Sequence, residues 1–380
     1  MNQYRSTVMY LIGRESNDDT LHYLTNLIQH VATLPFRIVI VEQSSRVHPA
    51  IQALAAAVPT IDVVTLDIPA SAGLLLRLRI LTAFFLQNTP AVVHVLSASS
   101  DTDIEAYAAL WIAHVPTRIA TIAEVTPTLR TDGIRLLANL VGQRVMHTLS
   151  DIVVYSASAK QTLQQEYRLK RTPIAVIPIG IDSAHYALHM TADVDRAVFQ
   201  LPNDGPLVAA IGQLALPKGH SVLIHAMEHV WQQRPDARLV IVGRGDQSTA
   251  LRALARQASQ PDRIHFLPDV SDQRGFLRGV DVYVQPSFSE PMSFDLLVAM
   301  AMERPVVASS ITNIYEIIES NASGLLVRAG SADALGTAIS RVFNDAALRI
   351  TISLNARTRV AQRFTTEQWH HATAALYKLV

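Results

Sequence analysis

Apolar residues arrive along this chain in short unbroken runs separated by longer segments of helical period. In the first half the runs are Val8–Ile12, Arg37–Val41, Val63–Leu66, Val92–Leu96, Arg118–Ile122, Ile152–Tyr155 and Ala175–Ile177. Helical patterns lie between them, near 19–33, 48–57, 72–87, 101–114, 131–149 and 157–168. Runs rich in Val and Ile, continuous rather than alternating, are the pattern of parallel strands buried on both faces. Their regular exchange with helices predicts an α/β fold with a doubly wound parallel sheet.

Residues 183–206 interrupt this rhythm with His, Asp, Pro, Asn and Gly, and read as a linker. Alternation then restarts. Leu207–Ile211, Arg238–Val242, Ile264–Leu267, Val282–Val284, Val306–Ala308 and Leu325–Val327 are the strands; helices fall near 219–233, 248–258, 272–279, 293–302, 313–319 and 331–343. The expectation is two Rossmann-like domains, 1–182 and 207–363, facing a cleft. A last helix over 364–380 carries Trp369, Ala372 and Leu376 at helical spacing. Trp111, Trp231 and Trp369 all sit in helical patterns and are expected to pack.

Composition narrows the function classes. Lys+Arg and Asp+Glu are both 32, so no overall positive charge draws nucleic acid to the chain. With no Cys, disulfides, thiolate metal sites and Cys nucleophiles are excluded. His residues show no H-E-x-x-H pair or other compact ligand spacing, so no metal is expected. The start has no apolar core of a signal peptide, and no apolar run is long enough to span a bilayer, so a cytoplasmic protein is expected. Peripheral membrane contact stays compatible with these features.

Three strand-to-helix turns carry candidate chemistry. In 281–309, a strand leads into a loop bearing Glu290, then a helix, then a second strand. Ligands of open α/β sheets bind at the carboxyl ends of strands, where helix N-termini offer free amides, so Glu290 is placed to meet a polar ligand; a surface loop Glu is the alternative. In 211–227, Gly212 ends a strand and Lys218-Gly219 opens a helix, which suits a phosphate or pyrophosphate. The spacing is not that of a P-loop, and a solvated Lys beside a surface helix fits as well. In 238–255, Gly243-x-Gly245 follows a strand and sets Arg244 where it can meet an anion, or it is simply a structural turn. His94 reads as a core residue. Ser156 lacks the G-x-S-x-G setting of a hydrolase nucleophile.

Taken together, these blocks resemble the retaining GT-B glycosyltransferases of the group 1 type (family 4-like). The landmarks are Gly212 with Lys218-Gly219-His220, RLVIVGRG, DRIHFLPDV, DVYVQPSFSEP with AMAMERPVVAS, and EIIESNASGLLV. In the first half, SDIVVYSASAKQTL and VIPIGID are similar to the family's last N-domain strands, and the tail from Phe364 is similar to its closing helix, which implies that the helix over 364–380 crosses back to the first domain. The resemblance implies a nucleotide-sugar donor, a saccharide or lipid-linked acceptor, and no metal. It implies that Lys218 meets the donor diphosphate and Glu290 the donor sugar. Gly212, Gln213, Gly219, Arg244, Pro291, Met292, Ser293 and Phe294, with Glu124 of the first domain, would line the donor site.

It also exposes departures. Gln213 stands where the family has Arg, Val298 where it has the second Glu of an E-x₇-E pair, Met292-Ser293 where it has Phe-Gly, and Thr312-Asn313 where it has Gly-Gly. In the first domain a donor-facing His falls at Ala123, beside Glu124, and the acceptor-side glycine loop is reduced to Gly13. Gln provides only a neutral donor where Arg gives a permanent bidentate charge, and Val cannot bind a ribose diol. Two readings follow: an active transferase, or a catalytically silent glycosyltransferase-like binding subunit. Another GT-B enzyme, such as a nucleotide-sugar epimerase, is a third.

Overall fold

The computed structural model describes residues 6–14, 18–31, 36–44, 46–69, 71–100, 102–125, 141–187, 196–270, 272–291 and 293–377. It divides into two compact units, 1–179 with 367–380, and 180–366.

The first unit holds a seven-stranded parallel sheet of β1 (Ser6–Ile12), β2 (Phe36–Glu42), β3 (Ile61–Thr65), β4 (Val92–Ser99), β5 (Thr117–Glu124), β6 (Asp151–Val154) and β7 (Ile174–Val176). Their order is β3-β2-β1-β4-β5-β6-β7. The strands at the middle of this sheet are buried along most of their length, which is why their sequences read as unbroken apolar runs. Leu11, Val41, Val95, Ile122 and Val154 pack with Tyr107 and Leu163 of flanking helices into one core.

Helix Thr366–Leu376 belongs to this unit although it follows the other in sequence. Its Trp369 ring lies 5.0 Å from that of Tyr23. The Tyr377 hydroxyl, just past the helix, meets the Tyr10 hydroxyl at 2.6 Å and His94 Nδ1 at 3.1 Å. His94 Nε2 contacts Thr121 Oγ1 at 2.7 Å. Burial lowers the His94 pKa to about 3, so the ring is a neutral core residue.

The second unit holds a six-stranded parallel sheet of β8 (Leu207–Ile211), β9 (Arg238–Val242), β10 (Ile264–Leu267), β11 (Val282–Gln285), β12 (Val306–Ser309) and β13 (Leu325–Val327), in the order β10-β9-β8-β11-β12-β13. Its core joins Val208, Ile241 and Val284 to Leu223, Met227 and Trp231 of helix His220–Gln233 and to Ile339 and Phe343 of helix Ala332–Asn344. Helix starts are closed by side chains: Ser293 Oγ accepts from the Leu296 amide at 3.2 Å and Asp345 Oδ1 from that of Leu348 at 2.9 Å.

Trp111 corrects the packing expectation. Trp231 and Trp369 are buried, but Trp111 is 56% exposed near the end of helix Ile104–Ile112. Helical period marks which residues share a face, not whether another element covers that face. Ser156 accepts from the Ala159 amide at 3.1 Å and is a helix cap. Part of the helix expected over 131–149 lies outside the described residues; the stretch 141–146 is helical.

Candidate active site

Three neighbouring strands, β9, β8 and β11, end side by side, so the loops that follow them form one edge of the six-stranded sheet. The loop after β8 runs through Gly212 to a short 3-10 turn, Leu216–Lys218. Gly219 then starts the helix with φ +67°, and a Cβ there would sit 2.1 Å from the Pro286 carbonyl oxygen. The β8 and β11 loops therefore touch backbone to backbone. The amide of Phe288 completes the contact, donating to the Pro217 carbonyl at 2.7 Å.

That contact brings Lys218 and Glu290 together. The Lys218 ammonium donates to Glu290 Oε1 at 2.7 Å, with side-chain exposures of 14% and 2%. The second carboxylate oxygen accepts from Gln285 Nε2 and from Ser287 Oγ, both at 2.9 Å. Gln285 Oε1 accepts in turn from the Tyr283 hydroxyl at 3.0 Å and Ser293 Oγ at 3.2 Å. Tyr283 and Gln285 share a strand face because side chains alternate along β11. Burial keeps the Tyr283 pKa well above its ordinary value, so the hydroxyl stays a donor. Asn313, on helix Thr312–Ile317, donates from Nδ2 to the main-chain carbonyls of Glu290 and Pro291 at 2.7 and 2.9 Å. A buried carboxylate is tolerated only when paired and hydrogen-bonded, and Glu290 is both.

The sequence put Lys218 and Glu290 at one edge but did not reveal their direct bond, nor Tyr283, Gln285 and Ser287. The one available signal was Gln285, a polar residue closing the otherwise apolar β11. Of the other candidates, Gln213 and Arg244 are exposed, Ser293 is buried, and Pro291 and Phe294 are half-buried. Gly212 is half-buried and Gly219 buried. Met292 lies outside the described residues. Glu124 and Gly13 are in the first unit, at the ends of β5 and β1, and so belong to a different sheet edge. His220, which begins the helix after Gly219, donates from Nε2 to the Gln213 carbonyl at 3.3 Å, and burial lowers its pKa to about 4. Among the described residues, no group of three His, Cys, Asp or Glu side chains is arranged to hold a metal ion.

The model of the family Glycosyl transferases group 1 matches residues 205–345, the unit in which this network lies. Residues 205–345 thus resemble a group 1 glycosyltransferase domain. An uncharacterized glycosyltransferase of Methanocaldococcus jannaschii is 28% identical over 233 residues, 60% of this chain and 60% of the relative. A lipopolysaccharide core biosynthesis mannosyltransferase of Rhizobium leguminosarum is 31% identical over 210 residues, 54% of this chain and 59% of the relative. The matched stretches thus span about three-fifths of these relatives' lengths. Among solved structures, Anabaena HepE in complex with UDP superposes with a TM-score of 0.82 at 18% identity, over 98% of this chain and 100% of that one. The fold is GT-B, with two Rossmann-like domains. Within the matched stretch, Val298 is fully buried on helix Phe294–Ala301, and Asn313 clamps the Glu290 loop where the resemblance implied glycine.

Proposed function

We propose that the protein is a glycosyltransferase that moves a sugar from a nucleotide-sugar donor to a saccharide or lipid-linked acceptor with retention at the anomeric carbon. The observation carrying this reading is the buried Lys218–Glu290 pair at the carboxyl edge of β8 and β11. A carboxylate fed by a cation and two neutral donors can exchange a donor for sugar hydroxyls, which fixes the sugar's orientation. Lys218 and the amides opening helix His220–Gln233 then stabilise charge on the departing diphosphate. The anomeric C–O bond to phosphate breaks as the acceptor hydroxyl oxygen bonds to the same face of that carbon. Its proton passes to the departing phosphate oxygen. The reading expects no metal, so chelation by EDTA leaves the rate unchanged.

The acceptor is assigned to the first unit, at the β1 end by Gly13 and along helix Leu74–Asn88. There Leu74, Leu75 and Leu76 are 59%, 78% and 48% exposed, which suits a lipid-linked acceptor or a peripheral membrane contact. The described residues contain no helix long and apolar enough to cross a membrane. The working place in this reading is the cytoplasm.

Donor hydrolysis and transfer across a nucleotide-sugar panel test the proposal. Lys218→Ala is expected to lower turnover by about 10²-fold or more, the scale for losing one charge-stabilising group. Glu290→Gln is expected to lower it while leaving nucleotide affinity nearly unchanged. The alternative, a silent binding subunit, draws on the satisfied state of Glu290 and on buried Val298, which offers the ribose nothing. Nucleotide-sugar binding with no turnover on any acceptor decides for that alternative.

A further inference from the structure

Resting on the donor-site reading above, the geometry points to Arg244 as the side chain that supplies the net positive charge for the donor diphosphate. The reasoning starts from charge. Lys218 and Glu290 form a 2.7 Å pair, so together they present no net charge to an incoming anion. A diphosphate brings at least two negative charges to this edge, and helix amides supply only partial ones. An uncompensated cation is needed.

Arg244 meets that need by position. It lies in the loop after β9, the strand next to β8 on the side away from β11. Its loop is pressed against the loop of Lys218. The Leu214 amide donates to the Arg244 carbonyl at 2.8 Å, and the Gln247 amide donates to the Leu214 carbonyl at 2.9 Å. A Cβ on Gly243 would stand 1.9 Å from the Gly212 carbonyl oxygen, and one on Gly245 2.3 Å from that of Leu214. These glycines let two backbones meet and thereby set Arg244 beside the turn that bears Gln213. Arg244 is exposed and has no ion-pair partner among the described residues. Asp246 Oδ2, two residues on, accepts from the Gln247 side-chain Nε2 at 3.5 Å. A guanidinium held by its backbone and left unpaired is prepared for phosphate, which it can meet bidentately.

Arg328, an exposed cation that follows β13, two strands beyond β11, serves as a control. The test is calorimetry of UDP, ADP and GDP at low and moderate salt. Arg244→Ala is expected to weaken the preferred nucleotide roughly ten- to a hundredfold and to flatten its salt dependence. Arg328→Ala is expected to leave both unchanged. Because Gln213 is exposed and precedes Leu214, Gln213→Arg in the Arg244→Ala background returns a guanidinium from the facing loop, and most of the affinity is expected back. Wild-type binding that survives Arg244→Ala overturns this assignment alone. So does an equal loss in Arg328→Ala, or a failed rescue accompanied by a lowered melting temperature, which would mark a damaged loop. No heat from the wild type with any of the three nucleotides removes the donor-site reading and this assignment with it.

Discussion

The side-chain amide of Asn313 grips the backbone on either side of the Glu290–Pro291 peptide, reaching one carbonyl at 2.7 Å and the next at 2.9 Å. The helix after β12 and the loop after β11 are thereby fastened at the point where the carboxylate must be aimed. Asn313→Ala leaves both carbonyls without this donor. The expected cost is about 1–3 kcal/mol of stability, from two hydrogen bonds at ~0.5–1.5 kcal/mol each. Urea denaturation measures it; turnover should fall more than donor affinity, because aim rather than binding is lost.

The Lys218–Glu290 pair is expected to be strongly coupled. Lys218→Met alone strands a nearly buried carboxylate, at a cost on the order of 3 kcal/mol. Combining it with Glu290→Gln should recover part of that loss, with a coupling energy of ~1–3 kcal/mol in a double-mutant cycle. Additive losses would show the pair to be energetically idle.

Gly243→Ala tests the contact between the β8 and β9 loops. The new methyl meets the Gly212 carbonyl at 1.9 Å, and φ of +148° is strained for any residue with a Cβ. A loss on the order of 3 kcal/mol is expected, read as a lowered melting temperature. Nucleotide affinity should drop with it, since both loops shift.

His94 makes the first unit acid-sensitive. Its pKa is lowered by burial from 6.5 to about 3, so the unfolded chain takes up a proton that the folded unit refuses. The neutral ring's contribution is intact above pH 6.5 and is lost as pH falls toward 3. The slope approaches about 1.4 kcal/mol per pH unit for one proton. In His94→Gln, stability measured from pH 7 to 4 should fall less steeply than in the wild type. Parallel curves would show that other groups carry the acid limb.

The thirteen described strands were legible in the sequence: the central ones are buried on both faces and apolar throughout, and the edge strands β3, β7, β10 and β13 keep a short Val-, Ile- or Leu-bearing run although they are partly exposed. The returning helix was legible through the spacing of Trp369, Ala372 and Leu376 together with the resemblance of the tail. The site was legible only as loops. The bond between Lys218 and Glu290 depends on β8 lying next to β11, a neighbour relation between strands distant in sequence that no local pattern encodes. The role of Asn313 was hidden for the same reason: its partners are backbone atoms of another loop. Buried Arg77, whose Nε donates to Glu105 Oε1 at 2.9 Å inside the first unit, is likewise paired with a residue of another helix.

The helix carrying Trp369 and the hydroxyl of Tyr377 give synthesis a particular order. A ribosome delivers 1–179 first, yet Tyr10, Tyr23 and His94 wait for partners made 283 to 367 residues later. The second unit, a single uninterrupted stretch, has all its strands while the first is still missing a helix. The unit begun first is therefore finished last. During that interval its sheet shows a vacant apolar seat, the period when a chaperone has most to hold.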